Sequence, residues 1–372
     1  MKRILMTSAA TVALAGTAQA GGIDRSGQGL GPLFEDGRYL ELSFGHVSPS
    51  IDGRDVAGQP TGGVVGNYTQ WSLAYKYDVN DKLSFALIVD KPFGADVSYP
   101  VNTVTVPLAD VLDGTSAKAA TTAVTGILRY KFDGGFSVHG GLRAQRAEGE
   151  ITLNGAAYGG PPPGGLSGYN VKLASDVAPG YLVGVAYEKP EIALRVALTY
   201  NSAITHKFDT TQNFAAGVSI TEVELPQSVN LDFQSGVAKD TLVFGQIRWV
   251  DWSSFLIDPV GFPGNGLVEL EDTTTYTLGV GRRFNDKWAG SISVNYEPGG
   301  SDDLVSPLAP TNGRKGVTVG VAYTEGNMKI SMGINYTKVG DARPETGTPD
   351  TARASMTDND VLGVGVKVGW QF

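Results

Sequence analysis

Apolar side chains alternate with small or polar ones along segment after segment of this chain, and this alternation limits the possible fold more than any other feature. In the last segment one parity holds Leu362, Val364, Val366, Val368, Trp370 and Phe372, and the other holds Gly363, Gly365, Lys367, Gly369 and Gln371. Successive side chains of a β-strand point to opposite faces, so a period of two predicts strands with one apolar face. The same pattern recurs in 191–208, 286–298 and 328–340.

The length of the alternating runs separates two all-β architectures. Strands of a soluble β-sandwich also alternate, but they average about 5–6 residues. The runs here reach the roughly 9–11 residues that a tilted strand needs to cross a bilayer, and aromatic residues cluster toward their ends. An open sheet edge is excluded from hydrocarbon because its backbone groups find no partners there. We therefore predict an all-β fold, a closed transmembrane antiparallel β-barrel.

The connections support the same architecture. The alternation predicts strands near 38–47, 66–78, 82–93, 120–132, 135–152, 180–189, 191–208, 225–237, 240–256, 273–284, 286–298, 315–325, 328–340 and 359–372. Short polar turns such as Asp133-Gly134 alternate with long stretches such as 153–179 and 209–224. Outer-membrane barrels have short periplasmic turns and long external loops. An even number of about 14 strands places both termini in the periplasm.

The first residues have the features of an export signal. Lys2 and Arg3 are followed by a mostly apolar stretch and by Ala18-Gln19-Ala20, an A-x-A cleavage pattern. We predict a signal peptide at 1–20, a short N-terminal plug segment at 21–37 and the barrel at 38–372. The expected location is the outer membrane of a Gram-negative bacterium, in contact with its lipid and lipopolysaccharide. The C-terminal Phe372 is the expected contact for the barrel-assembly machinery.

Composition and motifs argue against several other classes of function. The chain has no Cys, which excludes thiolate metal sites, and its net charge of −9 makes nucleic acid a poor partner. The three His residues, His46, His139 and His206, belong to no hydrolase or metalloprotease motif. No catalytic residue, metal or cofactor is therefore predicted.

Several short motifs together resemble one family of membrane barrels. They are Ser26-Gly27-Gln28-Gly29-Leu30-Gly31, Asn80-Asp81-Lys82-Leu83-Ser84-Phe85, Glu224-Leu225-Pro226, Trp249-Val250-Asp251-Trp252-Ser253-Ser254-Phe255 and Asn285-Asp286-Lys287-Trp288. With the strand count, they resemble the FadL/TodX family of outer-membrane transporters for hydrophobic compounds. The resemblance implies passive uptake of long-chain fatty acids or aromatic hydrocarbons. It also implies an N-terminal plug and lateral release through a kinked third strand. The alternative is a general diffusion porin for small polar solutes.

The predicted third strand ends in Asp90-Lys91-Pro92-Phe93-Gly94. Pro cannot donate to a sheet ladder and Gly weakens one, so both favour edges, bulges or bends. These five residues are the candidate lateral gate. The alternative is that Pro92 and Gly94 simply end the strand before a loop.

The predicted plug segment is short. It lacks the Asn-Pro-Ala motif of the resembled family, but Ile23, Leu30, Leu33 and Phe34 would supply apolar contacts inside the barrel. We predict that Leu30, Leu33 and Phe34 contact the ligand. The alternative is a frayed terminus.

Further candidates for ligand contact lie on the strands and outer loops. Tyr158 and Phe214 lie in two outer loops that carry apolar residues, 153–179 and 209–224, and are expected to form a capture surface, unless they pack within their own loops. If the ligand is a fatty acid, its carboxylate requires an inward-facing cation. By parity the inward candidates are Arg143, the first choice, Arg129, Lys76, Arg195, Lys329 and Lys367. The alternative is that acidic neighbours such as Asp90 or Glu188 pair with them.

Overall fold

The structure is a computed structural model that describes residues 23–101, 111–160, 164–263 and 266–372. The predicted signal peptide, together with Gly21 and Gly22, lies outside the described residues. In chain order the strands are β1 (Tyr39–Ser50), β2 (Gly53–Asp55), β3 (Tyr68–Asp78), β4 (Leu83–Asp90), β5 (Gly94–Ser98), β6 (Ser116–Lys131), β7 (Phe136–Leu153), β8 (Tyr169–Lys189), β9 (Leu194–Asn201), β10 (Ile204–Gln212), β11 (Ala215–Leu225), β12 (Ser228–Ala238), β13 (Thr241–Val250), β14 (Thr273–Arg283), β15 (Trp288–Glu297), β16 (Leu304–Val305), β17 (Arg314–Glu325), β18 (Met328–Val339), β19 (Arg343–Thr346), β20 (Thr351–Ala352), β21 (Ala354–Met356) and β22 (Asp360–Gln371). Four short 3₁₀ helices cover Gly31–Phe34, Ala156–Tyr158, Pro190–Ile192 and Trp252–Ser254. Among the described residues, no helix is both long enough and apolar enough to cross a membrane.

One antiparallel sheet closes on itself to form the wall. Strand β1 pairs with β22, from Tyr39 opposite Gln371 to Ser50 opposite Asp360, and with β3 on its other side. The sheet contains 17 strands. Three crossings of the membrane are each made of two consecutive strands: β4 with β5, β9 with β10, and β11 with β12. The 17 strands therefore make 14 crossings. The predicted all-β barrel and its strand number are confirmed.

The wall has the polarity of a membrane barrel. On β1, Leu42 and Phe44 point outward and are 47% and 51% exposed, whereas the inward Glu41 and Ser43 are each 8% exposed. This arrangement is the reverse of a soluble protein, because hydrocarbon surrounds the outer face and the polar groups pair with one another inside.

Several strand limits differ from the predicted ones. Strand β8 begins at Tyr169 rather than near 180, and β10 and β11 form a hairpin across the stretch 209–224, which was predicted as a loop. The added parts carry outward charged residues such as Lys172 and Glu222, both exposed. Beyond the bilayer, water tolerates polar groups on the outer face, so the apolar alternation stops although the backbone pairing continues.

Candidate functional site

The third crossing of the wall is interrupted at Lys91–Phe93, where the sequence places Pro92. Strand β4 pairs with β3 up to Val89 opposite Leu73, and β5 pairs with β6 instead. Above Leu73, no strand of the described chain therefore pairs with β3 on this side as far as Tyr68, although β1 pairs with it on the other side. Farther out the wall is joined again, because Gly66 N donates to Asp96 O at 2.8 Å. The result is a local opening in the hydrogen-bonded wall.

The N-terminal segment fills this opening from the inside. The backbone N–H of Arg25 donates to Pro92 O at 2.8 Å, and the N–H of Gly94 donates to Ile23 O at 2.8 Å. Asp24 and Phe93 form an antiparallel bridge between these bonds. The Pro92 carbonyl and the Gly94 N–H at the break are thus satisfied by residues 23–26, as buried backbone groups require. The Phe93 N–H donates instead to Thr121 Oγ1 at 2.8 Å.

Side chains also cross the opening. The Arg25 guanidinium lies 3.3 Å above the ring of Tyr68, and its Nε donates to Gly94 O at 2.8 Å. Gln70 Nε2 donates to Lys91 O at 2.6 Å, and Ser26 Oγ donates to Asp90 Oδ2 at 2.6 Å. The opening is therefore closed by contacts made with side chains rather than by a continuous ladder.

A buried ion pair holds the same segment to the opposite part of the wall. Arg248 on β13 donates from Nε to Asp24 Oδ2 at 2.7 Å, and its Nη1 donates to Asn230 Oδ1 at 2.7 Å. Arg248 also contacts Gln28 Oε1, and Asn230 Nδ2 donates to Gly27 O at 2.9 Å. We call Asp24, Gln28, Asn230 and Arg248 the clamp. The segment thus spans the interior between the broken third crossing and β12–β13.

After the clamp, the segment packs on one side of the interior. Leu30 is 8% exposed and Leu33 is fully buried, and both pack with Ala74, Ile88, Ile127 and Leu182. Phe34 lies between two guanidinium groups, 4.5 Å from Arg129 Cζ and 4.6 Å from Arg195 Cζ. These contacts with the wall contradict the alternative of a frayed terminus for residues 23–34.

A cavity of about 260 Å³ remains in the interior beside this segment. The N-terminal segment and ten wall strands supply its lining. Its ionisable lining residues are Arg25, Glu35, Glu41, Asp90, Arg195, Asp232 and Lys367. Leu30 and Phe34 also line it, as do Gln70 and Trp71 from the strand beside the opening. In the described part of the chain, no cluster of three or more His, Cys, Asp or Glu residues is arranged to hold a metal ion.

Three of the cations predicted for a ligand carboxylate, Arg143, Arg129 and Lys76, lie elsewhere in the interior, and each has protein partners. Arg143 is 5% exposed and donates to Thr125 Oγ1 at 3.0 Å and to Asn201 Oδ1 at 3.2 Å. Arg129 pairs with Glu188, and Lys76 lies 2.7 Å from Asp78 Oδ1. Among the residues that line the cavity, the cations are Arg25 and two further candidates that parity placed inside, Arg195 and Lys367. A role for Arg143, Arg129 or Lys76 in ligand binding stays a prediction.

Apolar residues close the outer end of the barrel. The inward faces of the extended β6–β8 and β10–β11 pack against residues of 251–263 and 266–272, among them Trp252, Ile257 and Leu267. Phe93 of the broken crossing contacts Trp252, with ring centroids 5.5 Å apart. This outer apolar cluster therefore extends from the external loops to the opening.

Both predicted capture residues belong to this outer apolar cluster rather than projecting freely. Phe214 lies at the tip of the β10–β11 hairpin and packs on Tyr169, with ring centroids 4.9 Å apart. Tyr158 packs against the outer apolar cluster and against a second cluster near β2 and β21. Burial raises the pKa of the Tyr158 hydroxyl above its usual value, so it remains a neutral hydrogen-bonding group.

Sequence reasoning did not single out the residues that organise the opening, Arg25, Gln70 and Arg248. Parity alone places Gln70 and Arg248 inside, but it names no partner for them. A signal was available for Arg248, because a buried guanidinium requires an acceptor, and the N-terminal segment contains Asp24.

A closed 14-crossing wall with an apolar outer face and an inner segment defines an outer-membrane β-barrel transport protein. The family model described as outer membrane protein transport protein (OMPP1/FadL/TodX) matches residues 59–372. The chain belongs to this family, so the predicted resemblance is confirmed, and hydrophobic compounds are the transported class.

Solved structures show the same fold at low sequence identity. A FadL homologue from Pseudomonas aeruginosa aligns with a TM-score of 0.73 at 16% identity, covering 91% of each chain. The toluene transporter TodX from P. putida aligns with a TM-score of 0.65 at 15% identity, covering 96% of this chain and 99% of that one. The toluene transporter TbuX from Ralstonia pickettii gives 0.63 at 15% identity, covering 96% and 92%. A search of curated proteins finds no match.

Proposed function

We propose that this barrel takes up hydrophobic molecules passively and releases them sideways through the opening between β3 and the broken third crossing. The observation that supports this most directly is the segment Tyr68–Ser72, which has no strand partner on the side of the opening. Lys91, Pro92 and Phe93 form the break itself, with Asp90 and Gly94 at its ends. These five residues are the proposed lateral gate.

The proposed route begins at the outer apolar cluster. Phe214 and Tyr158 would contact the ligand first, and Trp252 and Phe93 continue the apolar surface inward to the opening. Apolar surface removed from water contributes about 25 cal/mol per Å². A lateral exit retains this favourable free energy, because the ligand passes from protein into lipid without being exposed to water again.

The N-terminal segment is proposed to act as the plug of this route. The proposed domains are those predicted from the sequence, with a signal peptide at 1–20, the plug at 21–37 and the barrel at 38–372. Its supporting contacts are the bonds of Arg25 and Ile23 to the gate and the clamp at Arg248. Displacing residues 23–26 would leave Pro92 and Gly94 unpaired, so movement of the plug and of the gate would be coupled.

The gate is tested by replacing Pro92 with Val, which restores a backbone donor and reduces the bend. We expect slower uptake of labelled toluene and labelled long-chain fatty acid in cells that lack the native protein. Pro226→Val is the matched control, because Pro226 also lies at a strand break, but both flanks of that break stay paired. Equal uptake by Pro92→Val and the parent at equal surface abundance contradicts the gate.

Two classes of cargo remain candidates within this proposal, long-chain fatty acids and aromatic hydrocarbons. TodX and TbuX, whose fold this chain shares, are toluene transporters, which favours the aromatic class. A fatty acid would require a cation such as Arg143, Arg129 or Lys76 to exchange its protein partner for the carboxylate. Competition between labelled toluene and labelled oleate for uptake distinguishes the two classes.

The charged lining of the inner cavity favours a second candidate function, a general diffusion porin for small polar solutes. The cavity of about 260 Å³ has seven ionisable residues on its wall, whereas the outer apolar cluster covers the mouth. Under the uptake proposal, purified protein in planar bilayers conducts ions poorly. Steady conductance and permeation of small sugars would support the porin instead.

Besides the hydrophobic cargo, the proposed partners of the barrel are outer-membrane lipid, lipopolysaccharide and the barrel-assembly machinery. The outward apolar face would contact outer-membrane lipid, and exposed cations above it, such as Lys172 and Lys207, would meet lipopolysaccharide. Phe372 is 71% exposed, which suits recognition by the barrel-assembly machinery.

We also propose that the chain carries out no catalysis. In the described structure His206 contacts Asp176 and Gln145, and His139 contacts Thr199. None of these contacts places a histidine beside a serine. Esterase activity of the purified protein that disappears in His206→Ala would overturn this proposal.

A further inference from the structure

The opening in the third crossing has a defined frame. Its periplasmic end is the last ladder pair, Leu73 opposite Val89. Its outer end is the bond from Gly66 N to Asp96 O at 2.8 Å. Six residues of the chain separate Gly66 from Leu73, which corresponds to about 20 Å of strand at about 3.4 Å per residue. This length admits a small apolar molecule, so the contacts that cross the opening limit its passage.

One hydrogen bond joins the two flanks of the opening directly. It runs from Gln70 Nε2 to Lys91 O at 2.6 Å. Among the described residues it is the one hydrogen bond between 67–72 and 90–95. Its donor lies near the middle of the opening, so the bond divides the opening into two shorter parts.

The register of β3 explains why Gln70 can reach across. Gln70 faces the interior, is 2% exposed and lies opposite Gly45 of β1. Gly45 has no side chain to hold the Gln70 amide, which extends instead toward the broken crossing. The acceptor is a main-chain carbonyl, and an amide carries no charge. The bond therefore does not depend on the protonation of either partner.

The other polar contacts in the middle of the opening belong to the plug. Arg25 places its guanidinium 3.3 Å above the Tyr68 ring and donates from Nε to Gly94 O at 2.8 Å. These contacts are lost when the plug is displaced. Gln70 is part of the wall, so its bond remains until its own side chain rotates. Gln70 lines the inner cavity, which gives the side chain room for that rotation.

From these observations we propose that Gln70 is the latch of the lateral gate. Its hydrogen bond to Lys91 O holds the opening closed after the plug is displaced, and breaking this bond limits the rate of lateral release. Gln70 is a positioning residue, because it acts through the backbone of the gate. The inference rests on the proposed uptake function and adds the residue that controls it.

Gln70→Met tests the latch, because it removes the donor from a side chain of similar length. One net hydrogen bond shifts an equilibrium about 2–12-fold. The population of the open gate, and with it the initial rate of uptake, is expected to rise by this factor. The rate is measured with labelled toluene and labelled oleate in cells that lack the native protein, at equal surface abundance. A merely structural role for Gln70 predicts slower or unchanged uptake.

Asn335→Leu is the matched control. Asn335 is 1% exposed and donates its amide to Val317 O at 3.4 Å, but β17 and β18 are continuously paired around it. Its uptake should match the parent. Conductance of purified Gln70→Met in planar bilayers tests for a general leak, and it is expected to stay at the parent level. Conductance that rises together with uptake would indicate a leaking barrel and overturn the latch.

The outcomes separate this inference from the proposed function. Uptake by Gln70→Met at or below the parent rate overturns the latch, as does an equal increase in Asn335→Leu. If Pro92→Val nevertheless slows uptake, the gate stands and only this inference fails. If Pro92→Val also has no effect, the proposed gate fails as well. Should Gln70→Met not assemble, Gln70→Asn keeps the amide but is one methylene too short for Lys91 O, and the same increase is expected.

Discussion

Removing Arg248 is expected to release the plug without opening the barrel wall. Arg248 is 1% exposed and makes hydrogen bonds to Asp24, Ser228, Asn230 and Gln28. Removing one partner of a buried ion pair costs about 3–5 kcal/mol, because the other charge stays buried and unpaired. Since each 1.4 kcal/mol is a factor of ten, the released population in Arg248→Met should rise by about two to three and a half orders of magnitude.

A single introduced thiol measures this population, because the chain contains no Cys. Leu30 is two residues beyond Gln28 and 8% exposed, so a Leu30→Cys thiol reacts with a maleimide mainly when the plug is released. We expect its labelling rate in the native membrane to rise in Arg248→Met by the factor given above, up to the limit set by the reagent.

Arg314→Met is the matched control for this experiment. It breaks another buried ion pair, to Glu297, between wall strands β15 and β17 and away from the plug. Its Leu30→Cys labelling should match the parent. Unchanged labelling in Arg248→Met, with the barrel intact on a semi-native gel, would refute the view that the clamp holds the plug.

Two further predictions concern the wall and an outer loop. Gly184→Ala is expected to lower the free energy of unfolding by about 1–3 kcal/mol, since its added methyl would collide with the His139 ring. Gly140→Ala is the control, because the nearest atom to its added methyl, Leu182 O, would lie 3.6 Å away. Urea unfolding followed by gel mobility compares the two variants. Equal unfolding midpoints would contradict the expected collision. A hydrogen bond from the Arg343 guanidinium lowers the pKa of Asp303. The ion pair therefore stabilises the loop fully at pH values above the usual carboxyl pKa. This stabilisation is lost as the pH falls through the lowered pKa. Hydrogen exchange at the Arg343 amide should show that loss in the parent and not in Asp303→Asn; the same acid response in both would argue against the pair.

The sequence by itself determined the wall. Alternation along 359–372 and similar runs sets which side chains face lipid, and the solvent then requires closure, because no backbone group in hydrocarbon is left unpaired. Pro92 and Gly94 likewise placed the break in the third crossing, since one cannot donate to a ladder and the other weakens it. These properties depend on residues close together in the chain.

Only the tertiary structure decided what lies inside. Parity places Arg143 and Arg248 in the interior, but it does not show that Arg143 is held by Asn201 and Arg248 by Asp24, a residue 224 positions away. Nor does it show that the backbone of Arg25 pairs with Pro92. Such partners are brought together by closure of the whole barrel, and a two-residue period carries no information about distances across it.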